Sequence, residues 1–195
     1  MIALHLPEVR VFMNKLLCTE IFDNFLLQEA SIQGSITYHV EGTLHTDFYS
    51  ADELEQEAGI QGGISYHIEG ALHTDFYSED ELEQEHLTGL AFVPYGKVRT
   101  QCFDLIKGKR TPSFFKFVLL LSPANLENTL QKTGSTLTTS DVTAAFINLK
   151  FQNNKLLLTT GISYRTFTID KSLDREWDAL IKKFLKNHEI IFEEL

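Results

Sequence analysis

Hydrophobic and polar positions alternate from the first residues. Ile2, Leu4 and Leu6 fall on one side and Ala3 and His5 on the other, the period-two pattern of a strand. Pro7 suits the first turn of a helix, on which Val9, Met13, Leu16 and Leu17 recur along one face. Residues 25–32 predict a second strand, residues 97–106 a short helix or irregular segment, and residues 113–121 a strand that becomes apolar on both faces toward its end. Ser122-Pro123 supplies a cap and a first-turn proline for a helix running to about Lys132 and stopped by Gly134. Residues 145–151, an Asn153-Asn154 turn, residues 155–159 and residues 163–169 read as an antiparallel meander. A closing helix near 173–187 places Leu173, Trp177, Leu180, Ile181 and Phe184 on one stripe, with Lys182, Lys183 and Lys186 largely off it.

Between the second strand and residue 97 the pattern repeats itself. Residues 28–55 and 56–83 are two tandem units that match at 22 of 28 positions, differing only at 31/59, 35/63, 37/65, 40/68, 43/71 and 51/79. Each unit predicts strand, turn, strand and helix. Ile36, Tyr38 and Val40 alternate with polar neighbours, Glu41-Gly42 suits a tight turn, and Ser50 with Glu53 forms a capping box. The second copy repeats this with Ser78 and Glu81, and Gly59 and Gly89 are placed to end the two helices. Two copies this alike point to a local duplication inside an existing domain rather than to a solenoid.

The expected fold is therefore one α+β domain over residues 1–195. A mixed, mostly antiparallel sheet is packed by helices in two pseudo-symmetric strand–helix–strands halves, with the duplicated unit inside the first. That ordering is similar to the sliding-clamp architecture, a likeness that does not by itself carry a function. Two near-identical segments compete for one place in the sheet, so the spare copy is expected to extend the sheet, to loop out, or to pair with another molecule.

Charge changes the picture less than it first promises. The net charge is −10, yet residues 28–85 hold 14 acidic residues and no Lys or Arg, while the remaining residues carry 17 basic against 13 acidic ones. Removing one copy, with its seven acids, would leave −3. The acidity is largely one motif counted twice and does not imply a cationic partner. The longest apolar run, residues 117–121, is far short of a membrane span, and the charged, proline-bearing N-terminus does not read as a secretory signal. Cys18 and Cys102 lie in apolar contexts and are expected to be buried free thiols in a reducing cytoplasm.

Three constellations carry chemistry. Each unit holds two histidines and an aspartate (His39, His45 and Asp47; His67, His73 and Asp75), residue types that ligate divalent metals. A two-residue turn puts the two histidines of a unit on opposite faces; a three-residue loop brings them together. Strand-surface histidines are the plainer reading. The acidic helical stretches lack the glycine-interrupted loop of a calcium site. Between residues 97 and 116, Lys97, Arg99, Lys107, Lys109, Arg110 and Lys116 oppose only Asp104, with Tyr95, Phe103, Phe114 and Phe115 interleaved. Basic residues with stackable aromatics suit single-stranded nucleic acid or a phosphorylated ligand; the plainer reading is a positive surface facing the acidic repeat. The Gly-Lys-Arg here lacks the upstream glycine of a phosphate-binding loop, and Cys102 has no local signature of a nucleophile.

PEVRVFMNKLL, DFYSADELEQE, KVRTQCFDLIKGKRTP and TTGISYRTFTIDKSLDREWD together cover much of the chain. In these segments it resembles an uncharacterised family of small cytoplasmic proteins from anaerobic Clostridia, from which no activity and no site residue carries over; the second copy departs from that family's pattern. The expected function is a non-catalytic binding or interaction protein that self-associates through the duplicated hairpins. Two alternatives remain: a clamp-like, nucleic-acid-associated protein using residues 97–116, and a metal-dependent enzyme using the His/Asp units. No cofactor and no membrane partner are implied.

Overall fold

The computed structural model describes residues 1–33, 65–69, 78–84, 87, 90–107, 112–133 and 137–195. Seven strands form one sheet in the order β3-β2-β4-β5-β6-β1-β7, antiparallel at every pairing. In chain order the elements are β1 (Ala3–His5), α1 (Val9–Cys18), β2 (Phe25–Gln33), β3 (Ser65–Glu69), α2 (Glu79–Gln84), α3 (Tyr95–Ile106), β4 (Phe114–Leu121), α4 (Pro123–Thr133), β5 (Val142–Gln152), β6 (Lys155–Tyr164), α5 (Ser172–Asn187) and β7 (Glu193–Glu194).

The α+β class and most element positions follow the residue pattern. Pro123 opens α4, and the Ser122 carbonyl accepts the Leu126 N–H at 2.9 Å. Asn153 and Asn154 have φ of 53° and 60°, the left-handed pair that a two-residue hairpin between β5 and β6 requires. Helix α2 begins directly after Ser78, as its capping box predicts. The equivalent helix of the first unit, the Glu41-Gly42 turn and Gly59, Gly89 and Gly134 lie outside the described residues.

Four expectations need correction. Pro7 precedes the N-cap residue Glu8 instead of opening α1. The segment 97–106 is a full helix and starts earlier, at Tyr95. The meander has two strands, not three: β6 runs through Gly161 to Tyr164, and residues 165–171 form no strand. The alternation there was a decoy, because Phe167 and Ile169 stand 92% and 85% exposed. Finally, the halves are not copies in space. β4 and β5 are adjacent and antiparallel across α4, whereas β1 and β2 lie at positions six and two of the sheet with α1 between them in sequence.

Cross-strand registers sort the side chains onto two faces. Ala30, Phe117, Leu149, Leu158 and Leu4 stand in one row across five strands, and all are fully buried. Ile32, Phe115, Phe151 and Leu156 form the next row on the same face. Every strand residue of the main core belongs to this face, and α1, α3, α4 and α5 complete the core with Phe12, Leu16, Tyr95, Cys102, Leu126, Leu130, Leu173, Trp177, Ile181 and Leu185. Tyr95 meets Phe117 edge-on at 6.2 Å between centroids and donates a hydrogen bond to the Leu16 carbonyl at 3.3 Å. Helices α1, α3, α4 and α5 thus pack against one face of the sheet.

Candidate interaction surface

The strand face opposite the four long helices is polar at its centre and basic at one end. One row runs Ser31, Lys116, Lys150, Leu157, His5 and Glu193 from β2 to β7; the row beside it runs Gln33, Phe114, Gln152 and Lys155. Lys150 and Lys155 are exposed, and Lys116, Phe114 and Leu157 are half-buried. Lys116 and Lys150 are direct cross-strand partners, a placement of like charges that works against pairing. Two neighbours offset it. Glu29 takes the Lys116 ammonium at 3.1 and 3.0 Å through its two oxygens, and the Lys150 ammonium lies 5.9 Å from the centroid of the Phe114 ring. Further along, His5 Nδ1 and Glu193 are 3.0 Å apart. Asn148 sits mid-face between Val118 and Thr159, and its side-chain oxygen is buried without a hydrogen-bond partner. At one corner of this face, Leu26 and Leu120 are buried apart from the main core.

The basic residues read from the sequence are dispersed by the fold. Lys97 and Arg99 ride on α3, Lys107 caps its C-terminal end, Lys116 is on β4, and Lys109 and Arg110 lie outside the described residues. Arg99 is mostly buried against Asp23, 3.0 Å away. Burial pushes the Asp23 carboxyl above its ordinary value while the Arg99 charge pulls it back. Lys107 pairs with Asp104 at 2.6 Å. Of the interleaved aromatics, Tyr95 and Phe115 belong to the core, leaving exposed Phe103 beside Lys107 and half-buried Phe114 beside Lys150. The 97–116 stretch is thus not one patch. Lys150 and Lys155, absent from the sequence reading, join Lys116 only because hairpin β5–β6 folds beside β4. Alternation of Lys150 and Gln152 with buried Leu149 and Phe151 was the available signal.

Of the metal candidates, His67 alone is described, in β3 opposite Ser31; His39, His45, Asp47, His73 and Asp75 lie outside the described residues. No group of three metal-ligating side chains forms among the described residues. The two cysteines are free, and they differ: Cys102 is buried as expected, whereas Cys18 at the end of α1 is exposed. Burial pushes the Cys102 thiol up to about 12, so at neutral pH it holds its proton and is a poor nucleophile.

Fold and surface together define an α+β protein with four helices packed on one face of its sheet and a lysine–phenylalanine cluster on the other. The chain belongs to a family of unknown function, DUF5721, whose pattern matches residues 15–59 and 53–193. Nothing matches it among curated proteins or among solved structures. No described helix is long and apolar enough to cross a membrane.

Proposed function

We propose that the protein is a non-catalytic binding protein of the cytoplasm that engages a single-stranded nucleic acid on the strand face carrying Phe114, Lys116, Lys150 and Lys155. The observation behind this reading is the direct cross-strand placement of Lys116 and Lys150 beside a partly exposed phenyl ring. Folding gains nothing from opposing two lysines, whereas a phosphate chain gains from both, and a base can stack where Lys150 now covers Phe114. Two free cysteines suit a reducing compartment.

Fluorescence anisotropy with a labelled single-stranded oligonucleotide tests the reading. Binding at low salt that weakens as salt rises, and that falls about ten-fold or more when Lys116, Lys150 and Lys155 become alanine, is expected. Absence of binding at low salt contradicts it. A second reading, self-association through the duplicated segment, draws support from β3, a strand of the second unit, standing last among the described strands on its side of the sheet. Light scattering on the full chain and on a chain lacking residues 56–83 tests that reading; unchanged monomers in both remove it.

A further inference from the structure

We propose that residues 165–171, between β6 and α5, form a contact with an anionic lipid surface. Phe167 and Ile169 enter the boundary between headgroups and acyl chains, and Arg165, Lys171 and Arg175 meet the headgroups. The contact is interfacial and needs no spanning segment. It goes beyond the functional reading above and does not rest on it, since Lys155 and Tyr164 stand at opposite ends of β6, about 30 Å apart.

The loop is amphipathic inside out. Phe167 and Ile169 are 92% and 85% exposed, whereas Thr168 and Asp170 are half-buried. The two polar residues hold the backbone: the Thr168 hydroxyl accepts the Asp170 N–H at 3.1 Å, and the Asp170 carboxylate accepts the Ser172 N–H at 2.8 Å. Both ends are pinned as well. The Arg165 N–H donates to the Asp141 carbonyl at 2.9 Å. Asp174 accepts the Tyr164 hydroxyl at 2.7 Å and lies 3.7 Å from the Lys171 ammonium. A single exposed apolar side chain is ordinary in a folded protein. Two alternate ones in a braced loop, with the polar residues between them drawn in, keep apolar area in water that the fold makes no use of.

The charges around the loop favour a lipid surface as its cover. Arg165, Lys171, Arg175, Lys183 and Lys186 are exposed, in the loop and along the outer side of α5. The aspartates of the same stretch are engaged toward the protein. Asp170 and Asp174 make the hydrogen bonds above, and Asp178 accepts the Thr160 hydroxyl from the sheet. Glu176, half-buried, is the remaining acid of the helix. Arg165, Arg175 and Lys183 make no ion pair among the described residues. Apolar side chains flanked by such cations match the layering of an anionic bilayer, apolar within and negative at its surface. A pocket on another protein would suit the two apolar side chains but gives no reason for a flank of one sign. The net charge of −10 opposes approach to such a surface. At physiological ionic strength, however, charges farther than about 8 Å are largely screened, so the loop sets the orientation and the affinity is modest.

Vesicle flotation with the full chain tests the proposal, using phosphatidylcholine alone and phosphatidylcholine mixed equally with phosphatidylglycerol. The chain should float with the mixed vesicles, more strongly at low salt, and not with phosphatidylcholine alone. Phe167→Ser with Ile169→Ser should lower the partition about ten-fold or more. Arg165→Ala with Arg175→Ala should do the same. All four side chains are exposed, so both variants should melt at the wild-type temperature. Absence of flotation with the mixed vesicles overturns the proposal, as does equal flotation with phosphatidylcholine alone or flotation that either pair of substitutions leaves unchanged. If light scattering instead shows a dimer that Phe167→Ser with Ile169→Ser dissolves, with no flotation, the loop joins two copies of the chain and the lipid contact falls.

Discussion

Phe146 and Gly161 are cross-strand partners, and the phenyl ring lies across the glycine so closely that a Cβ there would fall 2.3 Å from Cζ and within 3 Å of both Cε atoms. The glycine is therefore a seat for the ring, not a break in the strand. Gly161→Ala should destabilise the fold by about 1–3 kcal/mol, because the ring must leave its rotamer or the strands must part. Adding Phe146→Ala should recover part of that loss, and thermal unfolding of the two single variants and the double variant measures the coupling.

A similar contact joins Asp23 to helix α3, where a Cβ on Gly96 would lie 2.9 Å from the Asp23 carboxyl carbon and one of its oxygens. Gly→Ala inside a helix ordinarily stabilises by about 1 kcal/mol. Here the sign should reverse: Gly96→Ala should lower the stability measured by urea unfolding, because it pushes Asp23 away from Arg99. Asp23→Ala should lower it as well, by about 1–3 kcal/mol, by leaving Arg99 mostly buried without its partner.

The two thiols should react very differently. Cys18 is exposed and Cys102 is buried with its thiol pushed up to about 12. A thiol-specific reagent near pH 8 should label one cysteine per native chain, identified as Cys18 by mass spectrometry, and both after denaturation. Rapid native labelling of Cys102 contradicts the packing of α3.

Asp141 accepts hydrogen bonds from both the backbone N–H and the hydroxyl of Thr138, at 2.9 and 2.8 Å, and these hold its carboxyl below the ordinary aspartate value. A native value below the unfolded one adds stability above the ordinary aspartate range, and that contribution fades as pH falls through the depressed native value. The gap in melting temperature between the wild type and Asp141→Ala should be widest at neutral pH and should close in acid.

How much of this could be read from residues depends on how locally each feature is encoded. Helix α4 was legible because Ser122-Pro123 is a self-contained start signal, and hairpin β5–β6 because two asparagines accept positive φ. The role of Gly161 was not legible, because its cause, the Phe146 ring, lies on the neighbouring strand. Phe167 and Ile169 were misread for the opposite reason, since they alternate like a strand but have no neighbour to pair with. The candidate surface was half legible. Lys116 was found within a basic stretch, but its companions Lys150 and Lys155 follow more than 30 residues later, and only the register of β4 with β5 and β6 brings them together. Which copy pairs with β2 was not legible, since three of the five paired positions are identical in the two units.

The most direct test of the binding account is methyl and amide shift mapping with a single-stranded oligonucleotide at low salt. Perturbations should gather on Val118, Lys150 and Leu157, on the strand face opposite the core helices, while Leu119, Leu149 and Leu158 on the packed face hold still. Shifts centred on α1 and α3, or no shifts at all, would contradict it.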